Sequence, residues 1–260
     1  MYRNTKCLLQ AHRGVSYDAP ENTLAAFRLA KEQGYDLVEF DVRFTKDNVP
    51  ILYHDSVVNR TARVGGKQFG EEKVPVNSLT FAEYAELDVG AWKDAKYTGE
   101  GVLTFARALD YLVYAGLEGK ADNVLQTYTP EQLEIFLSVL RRHGNEKIGI
   151  TCSKNLDLLE RFAKEFPHHS LHFDGEITPE NLARITSFAK GHVTTIWAHL
   201  DDPKIAAWCK IPPVTPEMAK AVKDAGFRLG IWILQDDEEM QRALALGADA
   251  VETNGKIKPY

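Results

Sequence analysis

The sequence predicts an α/β fold, a closed (β/α)8 TIM-type barrel with a small insertion on its carboxyl-end rim. Short apolar stretches alternate with amphipathic stretches of helical length, and eight of the strand-like stretches can be drawn within 260 residues. About 250 residues is the ordinary size of such a barrel. Residues 1–260 therefore read as one barrel domain, with 56–102 inserted within it.

Composition narrows the function. A hydrophobic share of 44% is enough for one large core, and a net charge of -6 argues against a nucleic-acid surface or a polybasic membrane contact. Cys7, Cys152 and Cys209 are widely spaced, odd in number and free of any C-x-x-C, which suits a reducing compartment better than a disulfide framework or a zinc site. No run of about 18 apolar residues occurs, and the short polar start offers no signal-peptide core. The expectation is a soluble cytoplasmic protein with a small-molecule partner, no nucleic acid and no integral membrane contact. Barrels of this size occur as monomers and dimers, so a homodimer is compatible with the sequence.

The elements follow in order. Cys7 to His12 reads as a short buried strand ending at His12-Arg13-Gly14. Pro20-Glu21-Asn22-Thr23 opens a helix with Leu24, Phe27, Ala30 and Lys31 at helical spacing, Asn22 or Thr23 as its cap and Gly34 as its stop. Next comes Leu37-Val38-Glu39-Phe40-Asp41-Val42. Strand alternation puts Leu37, Glu39 and Asp41 on one face and Val38, Phe40 and Val42 on the other. The link to Ile51-Leu52-Tyr53-His54-Asp55 is too short for a parallel crossover, so it should be a hairpin-like excursion with Asn48 at positive φ. It returns His54 over the end of the acidic strand.

The insertion has one short helical patch, Thr80 to Leu87. After Leu103 the predicted helices are 104–112, 130–143, 156–166, 179–190, 216–225 and 237–246. Three of them start with Thr-Pro, a cap followed by a first-turn proline. The strands between them are 116–120, 147–152, 171–173, 194–198, 228–233 and 248–253.

Two carboxylates on one strand face repel and are held together by a proton or a cation. On this reading the strand ends bring His12, Arg13, Glu39, Asp41, Glu118 and Lys120 to one rim. Three acidic oxygen donors, Glu39, Asp41 and Glu118, suit one divalent cation, Mg²⁺ or Ca²⁺, rather than zinc. A cation flanked by His12, His54, Arg13 and Lys120 is a site for a phosphate ester. The histidines supply what its cleavage needs, one imidazole to take a proton and one to give it. His143, His168, His169, His172, His192 and His199 lack such a setting and read as structural.

His12-Arg13-Gly14, Pro20-Glu21-Asn22-Thr23, Val38-Glu39-Phe40-Asp41-Val42, Thr45-Lys46-Asp47, His54-Asp55 and Arg60-Thr61 together resemble the glycerophosphodiester phosphodiesterase family in order and spacing. The resemblance continues through Leu79-Thr80 and Leu87-Asp88-Val89-Gly90-Ala91-Trp92 and is thin beyond Leu103, apart from Gly247-Ala248-Asp249. It implies a (β/α)8 barrel that uses a divalent cation to cleave glycerophosphodiesters into sn-glycerol 3-phosphate and an alcohol. It also implies His12 and His54 as the acid–base pair, Arg13 as a phosphate contact and Glu39 and Asp41 as metal ligands. Glu118 and Lys120 match the family's E-x-K in part, because Gly119 intervenes. Trp232-Ile233-Leu234-Gln235 and Thr253-Asn254 depart from the family's Trp-Thr-Val-Asn and Thr-Asp, and Trp232 remains placed to wall a glycerol or headgroup pocket. Two rival readings accompany this one. One is phospholipase D-like action on lysophospholipids, which an apolar rim around Trp92, Trp197 and Trp232 would favour. The other is a non-catalytic phosphodiester-binding relative with a weakened metal site.

Overall fold

The computed structural model describes residues 6–122, 128–153 and 155–259. Its strands are β1 (Leu8–Ala11), β2 (Leu37–Phe44), β3 (Pro50–Leu52), β4 (Arg63–Val64), β5 (Lys67–Gln68), β6 (Glu118–Asp122), β7 (Ile148–Cys152), β8 (Leu171–Phe173), β9 (Thr194–His199), β10 (Arg228–Leu234) and β11 (Ala250–Thr253). The helices are α1 (Leu24–Gln33), α2 (Phe81–Tyr84), α3 (Phe105–Ala115), α4 (Pro130–His143), α5 (Leu156–Glu165), α6 (Pro179–Phe188), α7 (Pro203–Ala206), α8 (Pro216–Asp224) and α9 (Asp237–Ala245).

Eight parallel strands close a ring in the order β1, β2, β6, β7, β8, β9, β10, β11, and β11 pairs back onto β1. The predicted barrel is therefore the observed one. β3 lies antiparallel on β2, pairing Val42 with Leu52, which is the expected excursion; Asn48 has φ +58° in its turn. None of the helices among the described residues is long and apolar enough to cross a membrane.

Local chemistry sets the element ends. Thr129, Thr178 and Thr215 each cap a helix whose first residue is proline, as their spacing predicts. Thr23, not Asn22, caps α1, and Gly34 ends it at φ +80°. One boundary differs from the expectation. α3 runs on to Ala115 and is closed by Gly116 at φ +69°, so β6 begins at Glu118 and ends at Asp122, two residues beyond the predicted end.

The main core lies between barrel and helices. Val38, Phe40 and Val42 face outward into it, and Phe40 meets Phe27 of α1 and Phe105 of α3 at centroid distances of 5.9 and 6.1 Å. Phe105 stacks on Phe136 of α4 at 4.6 Å. Burying each such ring contributes on the order of 1.5–3 kcal/mol, so α1, α3 and α4 are held to the barrel mainly by this aromatic run. A second, smaller core formed by Ile51, Tyr53, Val58, Ala62, Val76, Tyr84, Leu87 and Val89 packs the segment that carries β4, β5 and α2.

The barrel interior is filled by large polar and aromatic side chains. Trp197 donates its indole N–H to His172 Nδ1 at 3.1 Å, and Lys120 Nζ lies 4.4 Å from the Trp197 ring. Glycine makes the room: a Cβ at Gly230 would lie 2.4 Å from Trp197, and one at Gly149 would lie 2.7 Å from His172.

Burial pushes His172 down from 6.5 to about 3, so its ring is neutral in the folded protein at any moderate pH. The unfolded chain takes up a proton below about 6.5. The folded chain does not, so this contribution to stability is complete above 6.5 and is lost as pH falls toward 3. His172→Gln keeps an acceptor for Trp197 and removes the titration. Chemical denaturation of both proteins should show wild type losing about 3 kcal/mol more than the variant between pH 6.5 and 4. Parallel pH profiles would contradict the assignment.

Candidate active site

The carboxyl ends of the strands open into a cavity of about 530 Å³. His12, Arg13, Glu39, Asp41 and His54 line it, together with Lys120, Asp122, Asp174 and Glu252.

Glu39 and Asp41 face inward from β2 and are almost fully buried. Burial raises the Glu39 carboxyl well above the ordinary range, and Asp41, Glu252 and Asp122 raise it further. Asp41 goes the other way. Burial pushes its carboxyl up, but Arg13, His54 and a hydrogen bond from Asn22 hold it below its ordinary value overall. Asn22 Nδ2 donates to Asp41 Oδ2 at 2.8 Å, and its Oδ1 accepts from the Asp41 backbone N–H at 3.1 Å.

Two strained residues make these contacts. Asn22 sits at φ +57° and Arg13 at φ +56°, a region few non-glycine residues enter. At Arg13 this conformation aims the backbone N–H at Glu39 Oε2, 2.9 Å away. Gly14 must follow it, because a Cβ there would lie 2.6 Å from Ala26. The Arg13 guanidinium pairs with Glu21 at 3.0 Å, and its Nε lies 3.4 Å from Asp41 Oδ2, an ion pair without hydrogen-bond alignment.

The two histidines have different partners. His12 Nδ1 donates to the Asn254 amide oxygen at 2.6 Å, and Nε2 lies 3.9 Å from Glu39. Burial lowers its pKa below the ordinary value. His54 Nδ1 instead meets the Asp55 carboxylate at 2.8 Å, and Arg43 grips the His54 carbonyl through Nε at 2.8 Å and Nη2 at 2.6 Å. Asp55 is bound by Arg60, which also reaches Glu21. A chain of ion pairs thus runs His54–Asp55–Arg60–Glu21–Arg13.

Glu118 corrects the sequence expectation. It pairs in register with Leu37 at the amino end of β6, far from the rim, and its carboxylate faces Arg228 at 3.4 Å. Alternation puts Glu118, Lys120 and Asp122 on one face, but two residues of rise separate each from the next. Asp122 is the carboxylate level with Asp41, and it lines the cavity. Reading the strand as ending at Lys120 hid it.

Lys120 and Trp232 do line the cavity. Lys120 is 1% exposed and lies 3.2 Å from Glu252 and 3.5 Å from Asp122. Burial alone would lower its pKa, but Glu252, Asp122, Asp174 and Glu39 raise it, so the ammonium stays charged. Trp232 donates its indole N–H to Asp174 at 2.8 Å, and Trp208 stacks on it at 5.8 Å. A register shift in β10 between Ile231 and Leu234 lets both Trp232 and Ile233 line the cavity. Trp197 is enclosed in the barrel, and Trp92 lies under Arg60. Neither lines the cavity, so the apolar rim that would favour the lysophospholipid reading is not formed by these two.

Sequence reasoning missed Asp122, Asp174, Glu252 and Trp208, and noted Asn254 without its contact to His12. Asp174 carried a signal, since it directly follows the short strand Leu171–Phe173, where barrel-site residues lie. Trp208 sits in a connecting segment and carried none. Of the remaining histidines, His143 is tied to Asp110, His169 to the Ile148 carbonyl, His192 to the His169 carbonyl and His199 to the Leu200 and Ile211 carbonyls.

The donor set can be tested against a hard divalent cation. Glu39, Asp41 and Asp122 are all oxygen donors, and crowding of buried acids raises Glu39 as it would where a positive charge is wanted. The residues fit such an ion in kind and in charge. Among the described residues, no three His, Cys, Asp or Glu side chains converge as a ready-made metal site.

Comparison with known proteins follows this geometry. The family described as "Glycerophosphoryl diester phosphodiesterase family" matches residues 12–255. A glycerophosphodiester phosphodiesterase of Caldanaerobacter subterraneus is 29% identical over 96% of this chain and 94% of its own length. Glycerophosphodiester phosphodiesterase 1 of Homo sapiens is 44% identical over 81 residues, covering 31% of this chain and 22% of that one. A solved phosphodiesterase from Oleispira antarctica, in complex with the product sn-glycerol-3-phosphate, superposes with a TM-score of 0.76 at 22% identity, covering 96% of this chain and 93% of that one. With its family match spanning nearly the whole barrel, the chain belongs to the glycerophosphoryl diester phosphodiesterase family and is a phosphoric diester hydrolase.

Proposed function

We propose that this enzyme hydrolyses glycerophosphodiesters such as glycerophosphocholine or glycerophosphoethanolamine to sn-glycerol 3-phosphate and an alcohol, with His12 and His54 as its acid–base pair. The observation that carries the reading is that two imidazoles with unlike partners share one cavity with a buried pair of carboxylates.

Asn254 is uncharged, and burial disfavours the imidazolium of His12. His12 therefore enters the reaction unprotonated, with Nε2 placed to take the proton of the attacking water. His54 faces the Asp55 carboxylate, which the hydrogen bond from His54 and the pairing with Arg60 keep ionised. His54, whose Nδ1 is held by that carboxylate, is the ring that gives a proton to the departing alkoxide as its P–O bond breaks. Arg13 supplies positive charge at the phosphate side, and Lys120 supplies it from below. Glu39, Asp41 and Asp122 would hold one divalent cation, Mg²⁺ or Ca²⁺, which when bound offsets phosphate charge and polarises its P–O bonds.

Trp208 supports alcohols with an apolar face, lysophospholipid-type substituents among them, because it stacks on Trp232 while 65% exposed at the mouth. The binding-only alternative rested on Glu118, and the place of Asp122 level with Asp41 supports the hydrolase reading instead. Free Cys7, Cys152 and Cys209 support a cytoplasmic location.

Purified protein given glycerophosphocholine should release sn-glycerol 3-phosphate with Mg²⁺ or Ca²⁺ and stop on chelation. His12→Ala and His54→Ala should each lower kcat by roughly 10²- to 10⁴-fold. Measurable binding without release from several headgroups would overturn the hydrolase reading. A second comparison concerns the third carboxylate. Asp122→Asn should weaken cation affinity about 10-fold or more, measured by titration calorimetry, whereas Glu118→Gln should leave it unchanged. The reverse ranking would return the role to Glu118.

A further inference from the structure

Thr151 lies on β7 with its side chain inside the barrel, next to His172 of β8 in register. It is 6% exposed and lines the cavity, and its Oγ1 has no hydrogen-bond partner among the described residues. A buried hydroxyl left unpaired is costly, and in a cavity wall it is explained by a partner that arrives with the ligand. Its surroundings are polar. Asp174, which directly follows β8, lines the cavity too and accepts the Trp232 indole N–H at Oδ1. Lys120 and Glu252 form the floor.

Toward its mouth the cavity has the reverse character. Trp208, Cys209, Ile211 and Ile233 line it, and Trp208 is 65% exposed. A phosphodiester with a glycerol on one oxygen and an alcohol on the other would meet these walls unequally. Glycerol hydroxyls require partners that the Trp208 side lacks, while an apolar-faced alcohol loses nothing there.

We infer that Thr151 is a specificity-determining residue whose hydroxyl binds a glycerol hydroxyl of the substrate, fixing the glycerol half inward and the alcohol half outward past Trp208. This rests on the glycerophosphodiester reading given above. It is tested by binding, so that the two can fail separately.

The probes are sn-glycerol 3-phosphate and n-propyl phosphate, which carry the same phosphate and differ by two hydroxyls. Titration calorimetry of the full chain in Mg²⁺ should show wild type preferring sn-glycerol 3-phosphate. Thr151→Val should lose about 5- to 10-fold in affinity for it while binding n-propyl phosphate as before. Thr151→Ser, which restores a hydroxyl, should recover most of the loss, and unchanged thermal midpoints would show that both variants fold. A wild type that does not discriminate between the probes overturns the inference. So does a Thr151→Val variant that still discriminates, or one that weakens both probes equally. Discrimination by a protein that hydrolyses no glycerophosphodiester would leave this inference standing and sink the hydrolase reading.

Discussion

The constraint on which the rest depends is the burial of Glu39 and Asp41 side by side on the inner face of β2. Two carboxylates removed from water repel each other and lose hydration, and either loss alone costs several kcal/mol unless positive charge or hydrogen bonds answer it. The neighbouring structure can be read as that answer. Arg13 enters the left-handed region and turns its N–H to Glu39, while Asn22 enters it too and binds Asp41 with both ends of its amide. Lys120, deeper in the barrel, brings an ammonium held by Glu252 and Asp122. Strain in the first loop is thus tied to charge on the second strand.

The same chain of charges explains why a rim insertion belongs to the site. His54 does not sit on a barrel strand; it follows β3, and its position is set by Arg43 on its carbonyl and Asp55 on its ring. Asp55 is in turn bound by Arg60 from the insertion, and Arg60 and Arg13 share Glu21. These are partly exposed pairs whose separate contributions to stability are small. Their value is geometric, since they join the loop after β1, the start of α1 and the insertion into one frame around the second imidazole.

Across the cavity the character changes from ionic to aromatic. Asp174 receives the Trp232 indole, Trp208 stacks on Trp232, and the β10 irregularity turns Ile233 inward as well. A phosphodiester is similarly divided, with an anionic centre and two unlike substituents. The unequal walls therefore give the enzyme a means of orienting a substrate before any proton moves.

Much of this was legible in the letters because it depends on local rules. Period-two alternation put Glu39 and Asp41 on one face, Thr-Pro marked three helix starts, His12 stood at a barrel strand's end, and the short hairpin link returned His54 over the acidic strand. Other features depended on register, which neighbouring strands decide together. Because α3 continues to Ala115 and Gly116 closes it, β6 slides by two residues, and the carboxylate at the rim is Asp122 while Glu118 goes to Arg228 at the far end. Asn254 beside His12, Glu252 beside Lys120 and Trp208 over Trp232 are separated by long stretches of chain or by an irregular loop. The sequence by itself determined the barrel and the acidic strand with its two histidines, because backbone periodicity and capping act over a few residues. Only the tertiary structure decided which carboxylates, amides and aromatic rings complete the cavity, because barrel closure, not proximity in sequence, brings those side chains within hydrogen-bonding and packing distance.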